Sequence, residues 1–215
     1  MSNEVLKSRC RLYLITPPKI VLESFKDDLS KACDGGEIAC IQLRLKTASR
    51  DEILRAIDTL APIAQERNIA FILNDNPELA AQTACDGVHV GQRDTSYKQA
   101  REIVGENAVV GITCHNKRYL AIEAAEKGAD YVAFGAFFST KTKQTSSKVT
   151  PDILDIWSTM TTVPCVAIGG ITQENCRPLI QAGADFLAVV SAIWDYRAGP
   201  GAAVKAFNKI IEQNC

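Results

Sequence analysis

Eight short apolar runs recur along the chain: "RLYLI" (11–15), "IACIQLR" (38–44), "AFILN" (70–74), "GVHV" (87–90), "VVGI" (109–112), "YVAFG" (131–135), "CVAIG" (165–169) and "FLAVV" (186–190). Most are apolar throughout, as strands are when both faces of a sheet are covered. Helical patterns lie between them. In "RDEILRAIDTLAPIAQERN", Ile53, Leu54, Ile57 and Leu60 share one helical face. The punctuation also repeats, because "CDGVHVG", "GADYVAFG" and "GADFLAVV" each set Gly or Asp just before a strand, where a helix ends and the chain reverses. A βα unit used about eight times predicts the α/β class and a single closed (β/α)8 TIM barrel, with a doubly wound open sheet as the alternative.

At 215 residues and 47% hydrophobic composition the chain can fill one sizeable core, so one barrel domain is expected over 1–215, with 1–9 as an N-terminal extension. The 24 Lys and Arg against 25 Asp and Glu give a net charge of -1, which excludes a general basic field for nucleic acid. Any anion site must be local. No apolar stretch approaches the roughly 20 residues of a membrane span, and "MSNEVLKSRC" lacks a secretory apolar run, so a cytoplasmic protein with no membrane partner is expected. The eight cysteines are scattered singly without C-x-x-C pairs, which points to reduced thiols packed as small apolar residues.

In "IQLRLK" (41–46) the pattern alternates: Ile41, Leu43 and Leu45 share one strand face, Gln42, Arg44 and Lys46 the other. Working groups of such barrels gather at the C-terminal strand ends, so these polar residues should converge on the mouth, where the cations need an anionic ligand or carboxylates. Asn74, Asp75 and Asn76 come at the end of the third strand, and "HVGQRD" at the end of the fourth brings His89, Gln92 and Asp94. Asp75 and Asp94 could share a hard cation such as Mg²⁺, or each could cap a helix, starting near Pro77 and Ser96 respectively. After the fifth strand, "GITCH" offers Thr113 and His115; Cys114 beside them should point the other way, against a Cys/His nucleophile. The loop "GAFFSTKTKQTSS" (135–147) offers Thr140, Thr142 and Lys143 as phosphate donors in a lid. Gly169 and Gly170 after the seventh strand and Ser191 after the eighth match the position of a barrel phosphate site. Two anionic groups at one mouth suggest transfer between two phosphorylated small molecules.

These motifs, in this order, resemble the thiamine phosphate synthase family from "LYLIT" to "VVSAIW". The family's Q-L-R-x-K is matched by Gln42, Leu43, Arg44 and Lys46, and its N-D pair by Asn74 and Asp75. D-G-V-H-x-G-Q-x-D is matched from Asp86 to Asp94, and T-x-T-K by Thr140, Thr142 and Lys143. A-I-G-G-I-T and V-S-A-I are matched from Ala167 to Thr172 and from Val190 to Ile193. The resemblance implies an aminopyrimidine methyl diphosphate bound by Gln42, Arg44, Lys46, Asn74 and Lys143, with Leu43, Leu45 and Thr113 beside it and Mg²⁺ held by Asp75 and Asp94. It further implies a thiazole phosphate near Thr140, Thr142, Gly170, Val190 and Ser191, with Lys141 of the same loop among the substrate-binding residues. Arg44, Lys46 and Lys143 would act catalytically on the departing diphosphate, and self-association into a homo-oligomer stays open. Leu45 stands where the pattern has an acid, Asn76 where it has arginine, Thr113 where it has serine and Lys141 where it often has proline. A tautomerase of the same pathway using His115, or an inactive ligand-binding relative, are the alternatives; Asp75, Asp94, Lys46 and Lys143 favour the synthase.

Overall fold

A computed structural model describes residues 10–139 and 149–214. The strands are β1 (Arg11–Ile15), β2 (Ile38–Leu43), β3 (Ala70–Asn74), β4 (Gly87–Val90), β5 (Val109–His115), β6 (Tyr131–Gly135), β7 (Cys165–Ile168) and β8 (Phe186–Val189). The helices are α1 (Leu22–Asp34), α2 (Arg50–Gln65), α3 (Pro77–Ala80), α4 (Tyr97–Val104), α5 (Arg118–Glu126), α6 (Asp152–Met160), α7 (Arg177–Gln181), α8 (Ser191–Trp194) and α9 (Pro200–Glu212). All neighbouring strands are parallel, and β8 pairs back onto β1, so the sheet closes in sequence order. Closure settles the choice against an open sheet.

Strand alternation divides the apolar residues into two layers. Leu12, Leu14, Ile41, Leu43, Phe71, Leu73, Val132 and Phe134 face outward and pack under the helices. Tyr13, Ile15, Cys40, Ile72, Tyr131, Ala133, Val166 and Ala188 fill the barrel interior. The division puts Gln42 inside with Tyr13 and sends Leu43 outward, as the "IQLRLK" pattern requires.

The recurrent aspartate before a strand has a local cause that spacing alone did not supply. The amide of Asp86 donates to the Phe71 carbonyl at 2.8 Å, while its Oδ2 accepts the Phe71 amide at 2.7 Å. Asp130 makes the same exchange with Val110, and Asp185 with Cys165. Each aspartate therefore closes the entry of the strand before its own, β4 to β3, β6 to β5 and β8 to β7, at the barrel's N-terminal end.

Boundaries shift where backbone geometry overrides apolar pattern. The second helix stops at Gln65 and the chain turns through left-handed Asn68 at φ 57°. The fifth strand runs on to His115, with a register irregularity between Thr113 and His115. Cys114 consequently lies in the outer layer, fully buried, its thiol pushed up to about 12 by burial. Burial in the outer layer, away from the barrel interior, argues against a Cys114 nucleophile. Cys33, Cys40, Cys165 and Cys176 are likewise buried free thiols. Among the described residues no helix is long and apolar enough to cross a membrane.

Candidate active site

The ends of β2, β3 and β4 meet at the C-terminal mouth of the barrel. The end of β2 is held to β1 by Thr16, 1% exposed: its amide donates to the Gln42 carbonyl at 3.0 Å and its Oγ1 accepts the Arg44 amide at 2.9 Å. This clamp fixes the backbone on both sides of Leu43. Thr16 was not singled out by sequence reasoning, although its place at the C-terminal end of a strand was a signal for it.

Lys46 Nζ lies 3.1 Å from Asp75 Oδ2. Arg44 is half-buried, and that burial lowers its pKa while the nearby charges of Asp75 and Asp94 act to keep it protonated. Asp94 is exposed as a residue, but its carboxylate turns back to accept the Gly91 amide at 2.9 Å. Partial burial first, and then the hydrogen bond and charge of Asp75, raise the Asp94 pKa above its ordinary value, with Lys46 opposing. Two cations and two carboxylates thus form one cluster.

Neither aspartate caps a helix. Asn76 Oδ1 accepts the Leu79 amide at 2.9 Å and caps α3, while the Ser96 hydroxyl accepts the Gln99 amide and caps α4. The capping reading is thereby corrected: residues one and two positions further along do that work. Asp75 itself is left-handed, at φ 65°, a conformation that sets its side chain toward Lys46 rather than into the helix start. The Asn76 side chain, where the family pattern has a cation, is spent on the cap.

Gln42 is 3% exposed and forms the floor of the mouth, and Asn74 ends β3 beside it. Thr113 is half-buried on β5, its hydroxyl 2.8 Å from His89 Nε2 and its carbonyl accepting from Gln92 at 2.7 Å. His89, which the sequence already placed at the end of the fourth strand, links Thr113 to Gln42 through Tyr131 and Tyr13; the two tyrosines escaped the sequence reading of the mouth because they counted as apolar in their runs. Leu43 and Leu45 stand apart from the cluster, for both side chains pack with the sheet–helix layer.

On the opposite rim, Gly169 and Gly170 have φ of 106° and 64°. A Cβ at Gly170 would collide with the Ser139 carbonyl and the Phe138 side chain, so glycine is required for the β6 and β7 exits to press together. Val190 precedes α8 and Ser191 begins it, and no side chain caps that helix. Thr140, Lys141, Thr142 and Lys143 lie outside the described residues.

The sequence profile of the family described as thiamine monophosphate synthase matches residues 12–193. The chain is 57% identical over 202 residues to a thiamine-phosphate synthase of Rhodospirillum centenum, covering 94% of this chain and 98% of that protein. It is 44% identical over 211 residues to a thiamine-phosphate synthase of Hyphomonas neptunium, covering 96% of each. The solved structure of a thiamine phosphate pyrophosphorylase from Pyrococcus furiosus superposes with a TM-score of 0.83 at 30% identity, covering 97% of this chain and 98% of that one. Motifs, closed barrel and near full-length identity agree: the chain belongs to the thiamine monophosphate synthase family.

Proposed function

We propose that this chain is a transferase that joins an aminopyrimidine methyl diphosphate to a thiazole phosphate, giving thiamine phosphate and diphosphate. The observation that carries the reading is the mouth cluster, in which Arg44, Lys46, Asp75 and Asp94 converge from three strand ends while neither carboxylate is consumed as a cap. The thiazole ring nitrogen forms a bond to the pyrimidine methylene carbon as the bond from that carbon to the diphosphate oxygen breaks, and the electron pair leaves with diphosphate. Negative charge therefore grows on the departing oxygen. Arg44 and Lys46 stand where fixed positive charge would stabilise that growth more than it stabilises the bound substrate.

Asp75 and Asp94 fit a divalent cation by their chemistry. They are hard oxygen donors brought together closely enough for one to raise the other's proton affinity. Among the described residues no cluster of three or more His, Cys, Asp and Glu exists, so most coordination positions would fall to water and diphosphate, the habit of Mg²⁺. Bound there, Mg²⁺ would add further charge stabilisation to the leaving group. On this reading Gln42 and Asn74 hold the aminopyrimidine, Thr113 and Lys143 add to the diphosphate side, Thr140, Thr142, Gly170, Val190 and Ser191 hold the thiazole phosphate, and Lys141 takes part in substrate binding. Leu43 and Leu45 reach these ligands only through their main chains.

The test is diphosphate release by the purified protein with aminopyrimidine methyl diphosphate, thiazole phosphate and Mg²⁺, each omitted in turn. Release that needs all three is expected. Binding of both organic ligands without release would defeat the transferase reading and return the chain to the inactive-relative class.

A further inference from the structure

Beneath the mouth, a hydrogen-bonded chain crosses the barrel interior. Gln42 Nε2 donates to Tyr13 Oη at 3.0 Å, and Tyr13 Oη lies 2.8 Å from Tyr131 Oη. Tyr131 Oη is 2.9 Å from His89 Nδ1, and His89 Nε2 is 2.8 Å from Thr113 Oγ1. The path visits β2, β1, β6, β4 and β5 and joins two groups on opposite sides of the mouth. Tyr13, Gln42, Tyr131 and His89 are between 3% and 7% exposed. The imidazole is stacked on Tyr131 with ring centroids 5.6 Å apart and planes 19° apart, so the links are held by packing as well as by hydrogen bonds.

Counting protons gives the chain a direction. Each phenol has one proton to donate, and a neutral imidazole has one shared between two nitrogens. Burial raises the pKa of both Tyr13 and Tyr131, so the phenols stay protonated. With Gln42 donating to Tyr13, the arrangement in which each phenol gives once and receives once sends the Tyr13 proton to Tyr131 and the Tyr131 proton to His89 Nδ1. The imidazole proton then sits on Nε2 and points at Thr113 Oγ1. The reverse polarity would crowd two donors on Tyr13 Oη and turn the Tyr13 proton toward the neighbouring Cys40 sulfur, a weak acceptor.

We propose that Tyr13, Tyr131 and His89 are positioning residues that lock His89 as the Nε2–H tautomer and thereby orient Gln42 and Thr113 together. The Gln42 amide is held so that its carbonyl and second N–H face the mouth, a pair matched to the amino group and ring nitrogen of an aminopyrimidine. The Thr113 hydroxyl, accepting from His89, turns its own proton outward as a donor to an anion. This inference rests on the proposed function and adds the device that makes the pyrimidine side rigid before substrate arrives.

The chain has two histidines, so ¹⁵N-histidine NMR of the free protein resolves the tautomer directly, with His115→Gln assigning the signals. His89 should be the neutral Nε2–H tautomer, and Tyr131→Phe, which breaks the middle link without touching Gln42 or Thr113, should mix the tautomers. In kinetics Tyr131→Phe should raise KM for the pyrimidine diphosphate roughly tenfold, the worth of one well-placed hydrogen bond, and leave KM for the thiazole phosphate within about twofold. Tyr13→Phe should do the same and serves if the first variant folds poorly. An Nδ1–H tautomer, or a lowered melting temperature with both KM values unchanged, would overturn the proposal. A wild-type protein that releases no diphosphate would instead defeat the synthase reading, while the tautomer is still judged on the free protein.

Discussion

At the N-terminal end of the barrel Asp86, Asp130 and Asp185 each accept a strand-opening amide and return their own, whereas at the C-terminal end Asp75 and Asp94 face each other beneath Arg44 and Lys46. The first three are matched to the backbone and serve closure. The other two repel each other, and Lys46, paired with Asp75, offsets only part of that repulsion. On the proposed function, one residue type at the two ends of the barrel divides stability from chemistry, as expected for a fold whose chemistry sits on one face.

The largest expected effect comes from removing that repulsion. Asp75→Asn and Asp94→Asn should each cut diphosphate release at least about 100-fold, the scale seen when charge stabilisation of a leaving group is lost. Their folds should not suffer. Asp94 has a raised pKa in the folded chain, so its contribution to stability is present below the usual carboxylate value near 3.8 and is lost as pH rises through the raised value. At pH 7 the metal-free wild type therefore carries a cost that Asp94→Asn removes. Calorimetry should show the variant melting at or above the wild type at pH 7, with the gap closing toward pH 4, and Mg²⁺ should raise the melting temperature of the wild type alone. A variant that melts well below the wild type at pH 7 would make Asp94 a structural residue like Asp86.

Next in size is Lys46→Ala, which should weaken diphosphate binding by roughly tenfold or more, since a charge-assisted hydrogen bond is worth about 1.5–3 kcal/mol. Isothermal titration with inorganic diphosphate and Mg²⁺ measures it. The Lys46–Asp75 pair is half-exposed, so its loss should leave the melting temperature nearly unchanged. Asp185→Ala gives the converse: the Cys165 amide loses its partner, costing about 1–3 kcal/mol and several degrees of melting temperature, with both KM values intact.

Much of this comparison was legible in the sequence and part was not, for identifiable reasons. The apolar runs placed all eight strands to within a few residues, because a buried parallel strand has nowhere to put polar side chains. The alternation in "IQLRLK" separated Gln42 from Leu43 correctly. The aspartates before β4, β6 and β8 were read as turn punctuation only, since the amides they accept lie in another strand, brought near by closure. Asp75 and Asn76 both have the chemistry of a cap; the left-handed turn at Asp75 decides between them, and it is a property of the folded backbone. Tyr13 and Tyr131 counted as apolar in their runs, so the hydroxyls that link Gln42 to His89 stayed hidden until the strands were in register.

The smallest expected effect tests position 45, where the family pattern has an acid. Leu45 packs on the outer layer and lines a groove with Pro18, Ile20 and Leu22, beside Lys19 and Arg55. The charges that act on Arg44 come from Asp75 and Asp94. A glutamate at 45 would therefore lie among Lys19, Arg55 and Glu52 of the groove and add nothing to the mouth. Leu45→Glu should leave kcat/KM within about twofold of the wild type, and lost apolar burial should lower stability by no more than about 1–2 kcal/mol. A tenfold gain in kcat/KM would show instead that position 45 tunes Arg44 through the strand end, and would move the boundary between the catalytic and structural faces outward by one residue.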